Sequence, residues 1–380
     1  MDRFFDMGGP NMRVIPATRF QHKYPVRAIV CCLASVIASS AVAQDEKTAA
    51  PAAEKAAPAA APAAEDAAPA TESAPPSQAC DGNGCGPRSA GCASDGCSGG
   101  SLYSMSDVIS CSMFGKVDNW QPLCLETLFT EGWDEPFSAA PLGSGGAPRH
   151  GWLNTVDGWF TREWHVGYFY TDEQADGSNA HVGIYQYQTP LSRRLWLGID
   201  VPFVVAVDGD GGAADAEDFG DIVVIPKIKL YDQRDISVTA EVGIRIPTGT
   251  DVTGGDRTAL SPRINVWTDI GCGWSLRGGV GVNVATESSV SPDTAWFSNL
   301  AIGRTITAHD DAPLGDFTYY LSMNVVDELG SSNGSTFVSL TPGMRTHLGD
   351  NVFFLAGYEV PVAGPTPFDQ RLLFLIVRGF

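Results

Sequence analysis

The sequence predicts an all-β chain whose residues 160–380 form a transmembrane antiparallel up-and-down β-barrel of about 12 strands. Three observations carry this expectation. Apolar and polar residues alternate with a period of two, over segments long enough to cross a bilayer at a tilt. The connections between those segments alternate between tight turns and longer loops. The chain also stops inside an alternating apolar segment, RLLFLIVRGF, with Phe380 as its final residue.

The alternation is plain in ISVTAEVGIRI. Ile236, Val238, Ala240, Val242, Ile244 and Ile246 share one face, and Ser237, Thr239, Glu241, Gly243 and Arg245 share the other. GWSLRGGVGVNVA, DFTYYLSMNVV and LWLGIDVPFVV repeat the pattern. The expected strands are 160–171, 180–189, 194–206, 221–231, 236–246, 259–269, 273–285, 296–307, 316–326, 335–346, 351–360 and 370–380. PLSR, DQRD, IGC and LGDN read as tight turns, with 308–315 a longer member of that set. DEQADGSN, the acidic 207–220 segment, PTGTDVTGGDRT, TESSVSPDT, ELGSSNG and VAGPTPFD read as loops of the opposite side. A soluble β-sandwich is the competing architecture, but its strands are shorter and its loops need not alternate in length.

An ending at Phe380 fits a closing strand. A barrel in lipid must pair its last strand with its first, so that no polar edge is left open. Phe380, with Ile376, Phe374 and Leu372 on its own face, also has the form of an assembly signal read by the barrel assembly machinery. Arg378 departs from that pattern, and its side chain is expected to reach the interface.

The N-terminal residues predict export. Arg19, Lys23 and Arg27 precede the apolar run AIVCCLASVIASSAVA, which closes on Ala41-Val42-Ala43. This is a signal peptide over 1–43, with cleavage near Ala43 and an initiation alternative at Met12. A membrane anchor is the other reading, and the run is short for one. Cys31 and Cys32 open the run rather than close it, which argues against a lipoprotein. Residues 44–78, rich in Ala and Pro, have no apolar periodicity and read as an extended disordered linker.

Residues 79–125 form a Cys-rich periplasmic segment. Cys80, Cys85, Cys92, Cys97, Cys111 and Cys124 are disulfide candidates, since an exported chain meets an oxidising compartment. Metal is the weaker reading, because the spacing is looser than a zinc knuckle and no His lies nearby. Cys272 stands alone far downstream. Residues 126–159, punctuated by Trp, Pro and Gly without a clear period, read as an irregular segment at the periplasmic mouth or as a plug inside the barrel.

Charge narrows the function classes. The chain carries −20 overall, and the part after residue 43 holds 19 basic against 42 acidic groups. Phosphate binding needs a basic face, so nucleic acid is excluded as a partner. His150, His165, His181, His309 and His347 sit in no catalytic motif, and no phosphate-binding loop is present. No enzyme, cofactor or metal is expected. The acidic loop with Asp208, Asp210, Asp215, Glu217, Asp218 and Asp221 has Phe219 where a calcium loop needs its closing Glu. It reads as a solvated surface, with weak divalent bridging as the alternative.

If the apolar faces meet lipid, the opposite faces line the lumen. They carry Lys227, Lys229, Glu241, Arg245, Arg263 and Arg277, with Asn265, Asp269, Arg345 and Arg371 in addition. Counting from the turns places Lys227, Glu241, Arg263 and Arg277 at a similar height. Such a cluster either tunes the passage of small anions or neutralises itself and fills a narrow barrel.

GDIVVIPKIKLYDQRDISVTAEVGIRIPTGTD, from Gly220 to Asp251, resembles outer-membrane proteins of the MetA-pathway of phenol degradation family. The features that match are Gly220-Asp221, Lys227 and Lys229 on an alternating strand, Gly243 and Arg245 on the next, and Pro247-Thr248-Gly249 after it. The strand rhythm and terminal Phe extend the resemblance over about residues 160–380, leaving out the linker and the Cys-rich segment. The resemblance implies a barrel channel in the outer membrane of a Gram-negative-type bacterium, linked to uptake of small, often aromatic, compounds.

Two functional expectations follow. One is a channel passing small solutes, anionic or aromatic compounds among them, by passive diffusion. The other is a sealed structural barrel that anchors the Cys-rich segment, which would grip the cell wall or a periplasmic partner. Outer-membrane lipid is a partner in both.

Overall fold

The computed structural model describes residues 104–117, 119–175, 177–209, 216–250, 253–254, 257–286, 294–329 and 336–380. The expected signal peptide, the Ala/Pro linker, and Cys80, Cys85, Cys92 and Cys97 lie outside them, as do Asp210 and Asp215 of the acidic loop.

Twelve long antiparallel strands and one short one form a single sheet that closes on itself. They are β1 (Glu163–Asp172), β2 (Asn179–Pro190), β3 (Leu195–Asp208), the short β4 (Ala216–Asp218), β5 (Ile222–Asp232), β6 (Ile236–Ile246) and β7 (Ala259–Gly271). The remainder are β8 (Trp274–Ala285), β9 (Thr294–Thr305), β10 (Gly315–Leu329), β11 (Phe337–Gly349), β12 (Val352–Ala363) and β13 (Gln370–Gly379). Each long strand pairs with its neighbour in sequence, except that β3 passes over β4 to pair with β5. β4 adds only to the far end of β3, at Val205–Val207.

Closure is made by β1 and β13, in register from Glu163↔Gly379 to Asp172↔Gln370. The last residue joins the seam as well. Its N–H donates to the Arg162 carbonyl at 3.3 Å, and its ring stacks on Tyr187. Exposure alternates along β13: Leu372, Phe374 and Ile376 face outward, while Leu373, Leu375 and Val377 are buried inside. The same alternation in β5 and β6 turns Lys227, Lys229, Thr239, Glu241 and Arg245 inward. The outward faces make an apolar belt, the arrangement a closed sheet needs in lipid.

Connections at one end are mostly tight, such as 233–235, 272–273 and 350–351, with 306–314 longer. Those at the other end are longer, such as 247–258. Both the start of β1 and the end of β13 lie at the short-turn end. Helix α1 (Met105–Phe114) is capped by Ser104, whose Oγ accepts the Asp107 N–H while the Asp107 carboxylate accepts the Ser104 N–H. Cys111 and Cys124 are both disulfide-bonded.

β1 begins at Glu163 rather than at 160. Phe160 is instead buried against Trp196 and Phe137, as the last part of a segment that enters the barrel before the first strand starts.

Candidate functional site

The chain approaches the barrel along its short-turn end. Leu123 and Asp232 exchange backbone hydrogen bonds of 2.8 and 2.9 Å, pinning the approach to the end of β5. Arg194, in the β2–β3 turn and fully buried, donates to the carbonyls of Glu131, Cys124, Lys229 and Leu230 and to Thr127 Oγ1, at 2.8–3.1 Å. The next turn takes hold of Ser144, whose N–H and Oγ donate to the Asp235 carboxylate. Asp269 accepts the N–H groups of Gly145 and Ala147. Arg149 then pairs with Asp232 at 2.6 Å and lies over the Trp267 ring.

From His150 to Phe160 the chain is inside the lumen, and Trp152, Leu153, Val156 and Trp159 are at most 5 % exposed. It turns at Asn154, whose φ of 56° lies in the left-handed region that Asn tolerates. The wall supplies partners at each step. Leu153 N–H donates to Tyr320 Oη at 2.8 Å, and the Asn154 carbonyl accepts from Ser322, Asn299 and Asn324. Asn154 Nδ2 donates to Thr341. Trp152 stacks on Tyr320 with the ring planes 3° apart. At Gly158 a Cβ would come within 2.6 Å of the Trp267 nitrogen, so only glycine lets the backbone press so close to β7. This segment is a plug in structural terms: its backbone polar groups are met by wall side chains instead of water.

The residues expected to line the lumen do point inward, and most are committed to partners. Lys227 Nζ stands 2.8 Å from Glu241, donates to the Asp157 carbonyl at 3.1 Å and lies over the Trp196 ring. Arg263 forms a close ion pair with the same Glu241. Lys229 is apart from this trio, paired with Asp232 at 2.8 Å and set between Phe137 and Phe160. Arg245 is at the long-loop end, 3.8 Å from Asp221. The register also separates two residues that turn-counting placed together: Arg263 stands opposite Gly281, whereas Arg277 stands opposite Trp267, nearer the short-turn end. Turn-counting ignores the shear between tilted strands.

Arg277 is the centre of the plug contact. Its Nη2 donates to the His150 carbonyl at 2.6 Å, Nη1 is 3.5 Å from Asp157, and its guanidinium lies between the Trp152 and Trp159 rings, 3.4 and 4.5 Å from their centres. Arg345 repeats the role one residue on, donating to the Gly151 carbonyl at 3.0 Å while lying over Phe353. A cavity of about 60 Å³ remains between plug and wall, lined by Thr155, His165, Gln186, Lys227, Glu241 and Arg345. That is room for a few waters. His165 bridges Glu163 and Gln186 at 3.1 Å each. No group of three His, Cys, Asp or Glu side chains that could hold a metal ion is present among the described residues.

At the opposite end the two halves of the Gly220-Asp221 and Pro247-Thr248-Gly249 pattern form one clasp. Asp221 Oδ1 accepts the N–H groups of Thr248 and Gly249 at 3.1 and 3.0 Å. Thr248 Oγ1 donates to the Gly220 carbonyl and accepts the Ile222 N–H.

A family model described as "Putative MetA-pathway of phenol degradation" matches residues 157–369. The chain belongs to this family. The match starts within the plug at Asp157, so the residues before it are outside the shared region. Among solved structures the chain is similar to an outer membrane channel of the COG4313 group from Pseudomonas putida F1, at 14% identity and a TM-score of 0.48, covering 61% of this chain and 99% of that one. It is also similar to the NanC porin, at 10% identity and a TM-score of 0.40, covering 58% and 99%. No curated protein matches.

Proposed function

We propose that the protein is an outer-membrane channel for small solutes, held shut at its periplasmic end by the segment from His150 to Phe160. The observation that carries this reading is a closed sheet with an apolar outer belt around a lumen of charged and hydrogen-bonding side chains. A barrel meant only as an anchor has no need of a charged interior, since apolar filling is as stable or more so. The short-turn end is then periplasmic, which suits an exported chain whose first residues precede the barrel, with signal cleavage near Ala43. Lys227, Glu241 and Arg263 line the cavity between plug and wall, and they would set the ion preference of the opened path.

The second reading, a sealed barrel anchoring the Cys-rich segment, is favoured by buried Arg194, which donates to the Cys124 carbonyl at the end of that segment, to Thr127 and Glu131 just after it, and to Lys229 and Leu230 of β5. Planar-bilayer recording of the refolded full chain under a salt gradient separates the two. A channel gives discrete openings, more frequent in a Trp152→Ala/Trp159→Ala variant. A heat-modifiable, folded barrel that conducts in neither form would leave the anchor reading standing.

A further inference from the structure

Four plug oxygens sit where anions would sit. The His150 and Gly151 carbonyls are held by the guanidinium groups of Arg277 and Arg345, at 2.6 and 3.0 Å. The Asp157 carbonyl takes Lys227 at 3.1 Å, and the Asp157 carboxylate lies 3.5 Å from Arg277. The plug is an incomplete partner for these cations. Arg277 and Arg345 are each 1 % exposed, yet the Nε of both has no acceptor among the described atoms. Their nearest carboxylates are distant for ion pairs: Asp157 at 3.5 Å from Arg277 and Glu163 at 3.8 Å from Arg345.

A carboxylate can accept from Nε and one Nη of a guanidinium together. A single peptide carbonyl cannot do this, and the unmet donor is a standing cost in a buried site. Two guanidinium groups grip successive carbonyls of one peptide, so they are spaced for the two ends of a short dicarboxylate. We propose that Arg277 and Arg345, with Lys227, form a site for small carboxylates, and that such a solute opens the channel by taking the positions now held by plug oxygens. The inference rests on the channel reading above. It makes the plug a competitor of the solute, so that opening depends on solute concentration.

The test is open probability of the full-length barrel in planar bilayers, titrated with sodium succinate at constant ionic strength, with erythritol as the neutral control. Succinate raises the open probability and erythritol does not. Asp157→Asn, which removes the plug's own carboxylate, lowers the half-effective succinate concentration by about tenfold, the scale of one charge-assisted hydrogen bond. Arg277→Gln/Arg345→Gln opens without succinate and no longer responds to it. A heat-modifiability gel reports whether each variant has folded, and if the double variant has not, Asp157→Asn decides alone. Openings that ignore succinate in both the native chain and Asp157→Asn overturn the carboxylate site and leave the channel standing. If no form conducts, Trp152→Ala/Trp159→Ala included, the channel reading falls first.

Discussion

The guanidinium of Arg277 lies 3.4 Å from the centre of the Trp152 ring, and the same Trp152 stacks face to face on Tyr320, two strands along the sheet. One plug residue thus joins β8 to β10 over the intervening β9. Trp152→Ala removes both contacts and leaves the carbonyl bonds in place. Hydrogen exchange at Leu153 and its neighbours is expected to speed up at least tenfold, about 1.4 kcal/mol of local stability, with strand amides unchanged. Equal acceleration throughout β8 and β10 would mean that plug and wall open as one unit, which the gating reading does not allow.

Asp221 does for the far end what Arg277 does for the plug. Its carboxylate oxygen accepts two successive backbone N–H groups, Thr248 and Gly249, at the point where Pro247 stops the β6 ladder. Asp221→Ala orphans both donors, at a cost of about 1–3 kcal/mol. The expected outcome is faster exchange at those two amides and earlier proteolytic cutting in 247–258, with an unchanged barrel band on a heat-modifiability gel. Asp221→Asn keeps an acceptor and is expected to fall between the two.

The barrel was legible because each strand in lipid must show period two over its whole length, and nothing else in this chain does. The ends of strands were less legible. β1 starts late because Phe160 is needed by Trp196 and Phe137 inside the lumen, a tertiary demand with no local signature. The plug's irregular segment showed Trp, Pro and Gly but no period, since a chain satisfied by wall side chains repeats nothing. Arg194 reads from the sequence only as the first residue of the strand expected over 194–206, although it lies in the β2–β3 turn and its guanidinium joins five acceptors. Inward-facing Lys227, Glu241, Arg263 and Arg277 were legible as a set. Their division between an ion trio and a plug latch depends on shear and on plug atoms, which strand spacing does not encode.

Glu241 is shared by two cations, Lys227 and Arg263, and is 4 % exposed. Glu241→Gln leaves those cations facing each other in a poorly hydrated wall. Breaking a buried pair in this way costs about 3–5 kcal/mol. The urea midpoint of the refolded barrel is expected to fall, and where the variant conducts, its reversal potential is expected to move toward anions. A variant as stable as the native chain would mean that water reaches the trio freely.

Acid is expected to loosen the plug through His150. Burial strips water from its ring and pushes its pKa well below the usual 6.5, and Arg345, Arg277 and His309 add repulsion in the same direction. The ring also meets Thr318 Oγ1 at 3.1 Å. In a released plug the ring titrates near its ordinary value, so docking favours the neutral form. The docked state is unaffected above that value. Below it, docking loses about 1.4 kcal/mol for each further pH unit, until the lowered pKa of the docked ring is reached. Exchange in 150–156, corrected for its intrinsic pH dependence, is therefore expected to rise between pH 7 and pH 5. His150→Gln keeps a polar group and removes the titration, and its exchange is expected to be flat over that interval. The Ser144–Asp235 link gives an internal control. Hydrogen bonds from the Ser144 backbone and side chain hold the Asp235 carboxyl below its usual 3.8. Its contribution is present above that value and fades only as pH falls through the lowered one. Release of 143–147 together with 150–156 already at pH 5 would therefore rule out His150 as the acid-sensitive point.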